Sequence, residues 1–176
     1  AKPVRRQRQG RKARQALETA RESIAHILNA APNEVVFTSG GTEASNMALF
    51  GLAAGTTGTI ALPPGEHPAT DESVRVLEGR GWQRLTLELD REGRLCAKQL
   101  DEMSWDNVRL ATILLAHNET GTIQDLGPLS ALCREHGVPL HVDAVQAVGK
   151  IDVDFHESGA TTIEIGTEKL CGNGGM

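Results

Sequence analysis

The stretch VVFTSGGTEASNMALFGLAA, residues 35–54, decides the fold. Val35, Val36 and Phe37 read as a short buried strand, and the glycine pair Gly40–Gly41 reads as a turn that feeds a helix. Strand, glycine turn and helix make one unit of an α/β domain, and the alternation continues downstream. TIAL (59–62), QRLTLEL (83–89), RLATILLAH (109–117), PLHVDA (139–144) and GATTIEI (159–165) read as strands. ATDESVRVLEG (69–79), AKQLDEM (97–103) and LGPLSALCREHG (126–137) read as the helices between them. Strands alternating with helices predict a three-layer α/β fold, a mainly parallel sheet with helices on both faces. RLATILLAH is almost continuously apolar, as a central strand covered on both faces should be. Upstream, NAAPNE (29–34) reads as a loop. Ala13, Leu17, Ala20, Ile24, Ile27 and Leu28 recur at three- and four-residue steps and predict an amphipathic helix over 11–28, packed on a surface elsewhere in the chain.

Composition agrees with one globular unit. The 176 residues are 39% hydrophobic and 23% charged, without repeats or a low-complexity linker, so residues 1–176 are read as a single domain. A net charge of −5 argues against general affinity for nucleic acid, although Lys2, Arg5, Arg6, Arg8, Arg11, Lys12 and Arg14 crowd the start. No run approaches the ~18 apolar residues of a membrane span. Cys96, Cys133 and Cys171 are odd in number and widely spaced, which fits a reducing compartment; the cytoplasm is the expected location.

In open α/β sheets ligands bind beyond the carboxyl ends of the strands. Five such places carry chemistry here: Ser39, Gly40, Gly41 and Thr42 after VVF; His67 after TIAL; Asn118 and Glu119 after RLATILLAH; Asp143 and Gln146 after PLHV; and Gly166, Thr167, Glu168 and Lys169 after GATTIEI. Singly, each has an ordinary reading as helix entry, surface histidine, helix cap or solvated lysine. Together they supply every group that pyridoxal phosphate needs. The turn at Gly41 and Thr42 offers N–H groups and a hydroxyl to a phosphate at the start of a helix. Asp143 can keep a pyridine nitrogen protonated. Asn118 and Gln146 suit a phenolic oxygen, and His67 can stack on a ring and move protons near neutral pH. Lys169 offers an amine to an aldehyde.

EVVFTSGGTEASNMAL, EHPA, AHNETGTIQDL, LHVDAVQAVGKIDVDF and EKLCGNGG resemble, in order and spacing, motifs of the NifS/IscS-like cysteine desulfurases of the class V aminotransferase superfamily. The resemblance implies an aspartate aminotransferase-like large domain that holds pyridoxal phosphate. It implies a homodimeric enzyme that takes sulfur from L-cysteine, leaves alanine and hands a persulfide to a sulfur-acceptor protein, in iron–sulfur cluster assembly among other routes. By the same likeness Gly41 and Thr42 bind the phosphate, His67 stacks on the ring, Asn118 and Gln146 face its phenolic oxygen, Asp143 pairs with its nitrogen and Lys169 forms the Schiff base. The other readings are another class V activity, such as selenocysteine lyase or an aminotransferase, and a non-catalytic relative that keeps only the fold.

Three departures from the family pattern bear on activity. Gly166 and Glu168 stand where the family has Ser and His around its Schiff-base lysine. Two unit charges ~4 Å apart at an effective dielectric near 20 interact by about 4 kcal/mol, so Glu168 should weaken phosphate binding. Lys2, Val4, Arg5 and Gln7 replace a polar set at the start. The resemblance also places one more sheet strand, the small domain, a substrate-binding arginine and the sulfur-accepting cysteine beyond Met176, so the chain is expected to be the incomplete large domain and to lack turnover alone. Cys171 is read as structural, and Cys96 and Cys133 as packing residues.

Overall fold

The computed structural model describes residues 3–166. Five strands form one sheet: β1 (Thr59–Leu62), β2 (Gln83–Thr86), β3 (Val108–Leu114), β4 (Leu140–Asp143) and β5 (Thr162–Glu164). Their spatial order is β2-β1-β3-β4-β5, and every neighbouring pair is parallel. The helices are α1 (Pro3–Ile27), α2 (Gly41–Leu52), α3 (Pro68–Glu78), α4 (Ala97–Glu102), α5 (Gly127–Glu135) and the single turn α6 (Phe155–Ser158).

Alternation along each strand sorts the core into two layers. Ile60, Leu62 and Leu110 face α2 and α3, where Leu49, Val74, Leu77 and Trp82 close one cluster. Ala61, Ala111, Ile113, Leu140 and Val142 face the other way and pack with Leu100, Leu129 and Cys133 from α4 and α5. The three-layer α/β reading therefore holds. In β3 only Arg109 is exposed, as a strand covered on both faces requires.

Two local readings are corrected. Val35–Phe37 is extended at Val35 (φ −88°, ψ 125°) but joins no strand among the described residues, and Val36 is 65% exposed. Its backbone is tied instead by the Arg21 guanidinium, which donates to the Val35 carbonyl. A three-residue apolar run becomes a strand only where a neighbour offers a ladder, and this one pairs with none of the five strands, although Val35 and Val36 share a groove with β5. The amphipathic helix is also longer than its apolar spacing indicates, beginning at Pro3 rather than Arg11. Arg11 to Ala20 are all exposed, and from Arg21 onward Ile24, Ala25 and, just past the helix, Leu28 carry its apolar contact with the body. The surface expected to cover Ala13, Leu17 and Ala20 is thus not among the described residues.

The chain runs from β1 outward to β2, then returns past β1 to β3, β4 and β5. Strand order reverses between β1 and β3, and the loops leaving their carboxyl ends diverge there, which is where such sheets hold ligands.

Candidate active site

A cleft of about 710 Å³ opens at that position, lined by Gly41 and Thr42 of α2, Glu66 and His67 after β1, Asn118 and Glu119 after β3, and Asp143, Gln146 and Glu164 at the ends of β4 and β5. Six of the seven residues expected to form the site, Gly41, Thr42, His67, Asn118, Asp143 and Gln146, meet there. Lys169 lies outside the described residues, as do Thr167, Glu168 and Cys171.

Each is placed by its local sequence. α2 starts without a side-chain cap: its N-cap residue is Gly40, so no side chain at that position takes up the first-turn N–H groups. The α3 start is closed differently, by His67, whose Nδ1 accepts the Ala69 N–H at 3.2 Å. With Nδ1 accepting, the neutral ring carries its proton on Nε2. Asp143 ends β4, 3% exposed, and its Oδ1 accepts the Val145 N–H at 2.9 Å. Burial pushes its carboxyl above the usual carboxylate range, against the pull of that N–H and of nearby His67. In the loop after β3, His117 Nδ1 accepts N–H groups from Glu119 and Thr120, both at 3.3 Å, which curls the segment bearing Asn118. Gln146 Oε1 accepts from Lys150 Nζ at 3.1 Å.

Two acids of this cleft escape sequence reasoning. Glu66 folds inward beside His67, with Oε1 accepting the Leu114 N–H at 2.8 Å and Oε2 buried without a hydrogen-bond partner. Burial pushes its carboxyl up to about 8, with the charges of Asp143 and Asp71 adding to the rise. Glu164 is 6% exposed and its Oε2 accepts from Ser45 Oγ at 2.6 Å. Burial raises it to about 7. Strand parity signals Glu164, because Asp143 pairs with Glu164 in the parallel register and both side chains line the cleft. No sequence signal distinguishes Glu66 from a surface acid of a Pro-Gly loop.

Next to Glu164, His141 is 1% exposed, held by Thr162 Oγ1 at 2.9 Å from Nδ1. Its Nε2 lies 3.8 Å from Glu164 Oε2 and makes no hydrogen bond. Burial pulls its imidazole down to about 4, so in neutral solution the approach is a neutral polar contact and not an ion pair. Of the cysteines, Cys133 is buried with its thiol pushed up to about 12 by desolvation, which leaves it a packing residue, and Cys96 is half-buried at the start of α4.

A parallel α/β sheet with a polar cleft at its switch point, beside a helix start that carries no side-chain cap, is the arrangement in which open α/β domains hold their ligands. The chain belongs to the aminotransferase class-V family, whose model matches residues 2–176. The class V aminotransferases and cysteine desulfurases among its relatives are pyridoxal-phosphate enzymes. It is 37% identical over 166 residues to a putative cysteine desulfurase IscS 1 of Bacillus subtilis, covering 93% of this chain and 44% of that one. Among solved structures it superposes on SspA in complex with cysteine with a TM-score of 0.86 at 32% identity, over 93% of this chain and 48% of that one. A NifS-like protein gives 0.84 at 28% identity, over 93% and 46%. The chain thus spans under half the length of these relatives.

Proposed function

We propose that this chain is the cofactor-holding part of the large domain of a cysteine desulfurase, and that the whole protein takes sulfur from L-cysteine and leaves alanine. The observation that carries the reading is the convergence of Gly41, Thr42, His67, Asn118, Asp143 and Gln146 on one cleft. The residues fit pyridoxal phosphate. The uncapped start of α2 and the Thr42 hydroxyl would hold its phosphate. Asp143, whose charge is raised in cost by burial, recovers a partner when a protonated ring nitrogen lies against it. Asn118 and Gln146 would hydrogen-bond its phenolic oxygen, and His67 would stack on its ring.

When bound, the cofactor supplies an electron sink for the substrate's α-carbon. The protein's share is binding, orientation and proton transfer. His67 moves protons through Nε2, since Nδ1 is committed to the Ala69 N–H and fixes the ring's orientation. Lys169 supplies the amine that holds the cofactor by family resemblance. The sulfur acceptor, the homodimer, a cytoplasmic location and a place in iron–sulfur assembly belong to the same proposal and rest on the family resemblance of the sequence motifs.

The test adds pyridoxal phosphate to the purified chain, reduces with borohydride and maps adducts by peptide mass. A single adduct at Lys169, at least tenfold weaker after Asp143→Ala or Thr42→Ala, is expected. Labelling scattered over surface lysines would overturn cofactor binding and favour a non-catalytic relative, to which Gly166 and Glu168 already point. For the whole protein, alanine release from L-cysteine tests the activity; preference for selenocysteine or for amino transfer would move it elsewhere in class V.

A further inference from the structure

Glu164 lies where the functional reading seats a phosphate. A methyl group built on Gly41 would meet Glu164 Oε1 at 2.8 Å, so the carboxyl rests against the first residue of α2. Its other oxygen is fixed by Ser45 Oγ, one turn along the same helix. The side chain is therefore held from two sides in a position beside the incoming phosphate, and it lines the cleft together with Gly41 and Thr42.

Resting on that assignment of the phosphate seat, we propose that Glu164 gates the phosphate end of the cleft: a dianionic phosphate settles at the start of α2 only with Glu164 protonated, so in alkaline solution binding takes up one proton from solvent. As a carboxylate, Glu164 repels the dianion in a buried setting where water screens little. Protonated, the same group brings an O–H donor and no charge. No neighbouring cation offsets the charge among the described residues. From β4 it faces His141, neutral by burial, and Asp143, an acid. From α2 it faces Ser45; the first-turn acid of that helix, Glu43, is turned to Ser39, whose N–H and Oγ donate to it at 2.5 and 2.6 Å. Glu66 and His67 line the cleft from the loop after β1. Burial already pushes Glu164 up to about 7, with Ser45 pulling down and Asp143 pushing up, so the proton is exchanged close to neutrality.

The experiment titrates the full chain with pyridoxine 5′-phosphate by calorimetry from pH 6 to 9. This probe lacks the aldehyde, so the Lys169 amine does not contribute to the pH profile, and the phosphate's own ionisation near pH 6 is complete above neutrality. Wild type should lose affinity by up to about tenfold per pH unit above pH 7.5, with proton uptake seen as a dependence of the heat on buffer ionisation. Glu164→Gln should bind with a flatter profile than wild type and more tightly at pH 8.5; the ring nitrogen and Asp143 titrate in both chains, so the difference between the two profiles belongs to Glu164. Ser45→Ala keeps the acid and removes the bond that lowers its pKa, so its loss of affinity should begin at higher pH. A wild-type slope retained in Glu164→Gln, or weaker binding by that variant at pH 8.5 with an unchanged melting temperature, overturns the gate. If Glu164→Gln does not fold, an unshifted profile in Ser45→Ala overturns it. Inorganic phosphate separates two failures. If it shows the Glu164-dependent profile and pyridoxine 5′-phosphate binds no tighter, the pyridoxal-phosphate reading falls and the gate stands; if neither binds at pH 6 in any chain, both fall.

Discussion

Glu66 completes with a side chain a hydrogen bond that β1, ending at Leu62, leaves open at Leu114 on its neighbour β3. Removing the acceptor strands a buried N–H, which costs about 1–3 kcal/mol, so Glu66→Ala should lose that much in urea unfolding while Glu66→Gln, which keeps an acceptor oxygen, should not. The pH dependence follows from the direction of the shift. A carboxyl at about 8 when folded, against an ordinary 4.5 when unfolded, means that the folded state holds the extra proton between those values. Stability from this group therefore falls as pH rises from about 4.5 to about 8 and is level beyond. Wild type should lose ground to Glu66→Gln as thermal melts move from pH 5 to pH 9. At this scale the sequence made Asp143 and His67 legible, because a polar residue just past a strand stands at the ligand edge. Glu66 was opaque, because an acid looks the same in sequence whether it is solvated or buried; for Glu164 strand parity marks the cleft side, and only its burial against Ser45 of α2 needed the structure.

Among the elements, the start of β1 has the least room. A methyl on Gly58 would lie 2.4 Å from Arg109 Cγ and 2.9 Å from the Asn107 carbonyl, while the Gly58 carbonyl accepts the Gln83 N–H and the next N–H, of Thr59, reaches Asn107. Gly58→Ala should cost about 1–3 kcal/mol in chemical denaturation, because the backbone of two strands has to separate. Helix α1 gives the opposite expectation along one element. Leu28→Ala, just past its end and 8% exposed in the core, should cost about 2–4 kcal/mol, whereas Leu17→Ala, 44% exposed, should stay within about 0.5 kcal/mol. Equal losses at both positions would show that the outer half of α1 is covered in solution. Periodicity found this helix but gave no account of coverage, since an apolar stripe records what a helix packs on somewhere, not whether that surface is present. Val35–Phe37 failed for the related reason that a strand is a property of a pair.

For the whole molecule, the alternation of strands and helices was enough to reach the α/β class and the carboxyl-edge placement of the site, because a parallel sheet leaves few other arrangements. The order β2-β1-β3-β4-β5 was not readable, since the reversal at β1 is fixed by tertiary pairing and not by any residue type. Nor was the groove of about 340 Å³ between α1, α2 and β5, lined largely by aliphatic side chains such as Ile24, Leu28, Met47 and Ile163. The all-parallel pairing also governs how this chain reaches its native state. No two neighbouring strands are joined by a hairpin, and the central pair brings Thr59 against Val108 across the whole of α3, β2 and α4. Loop closure over such separations must be met before any ladder rewards it, so the sheet should assemble in milliseconds to seconds rather than microseconds, with helices forming ahead of the strands they will cover. During that interval the apolar strand Val108–Leu114 is the segment most open to self-association.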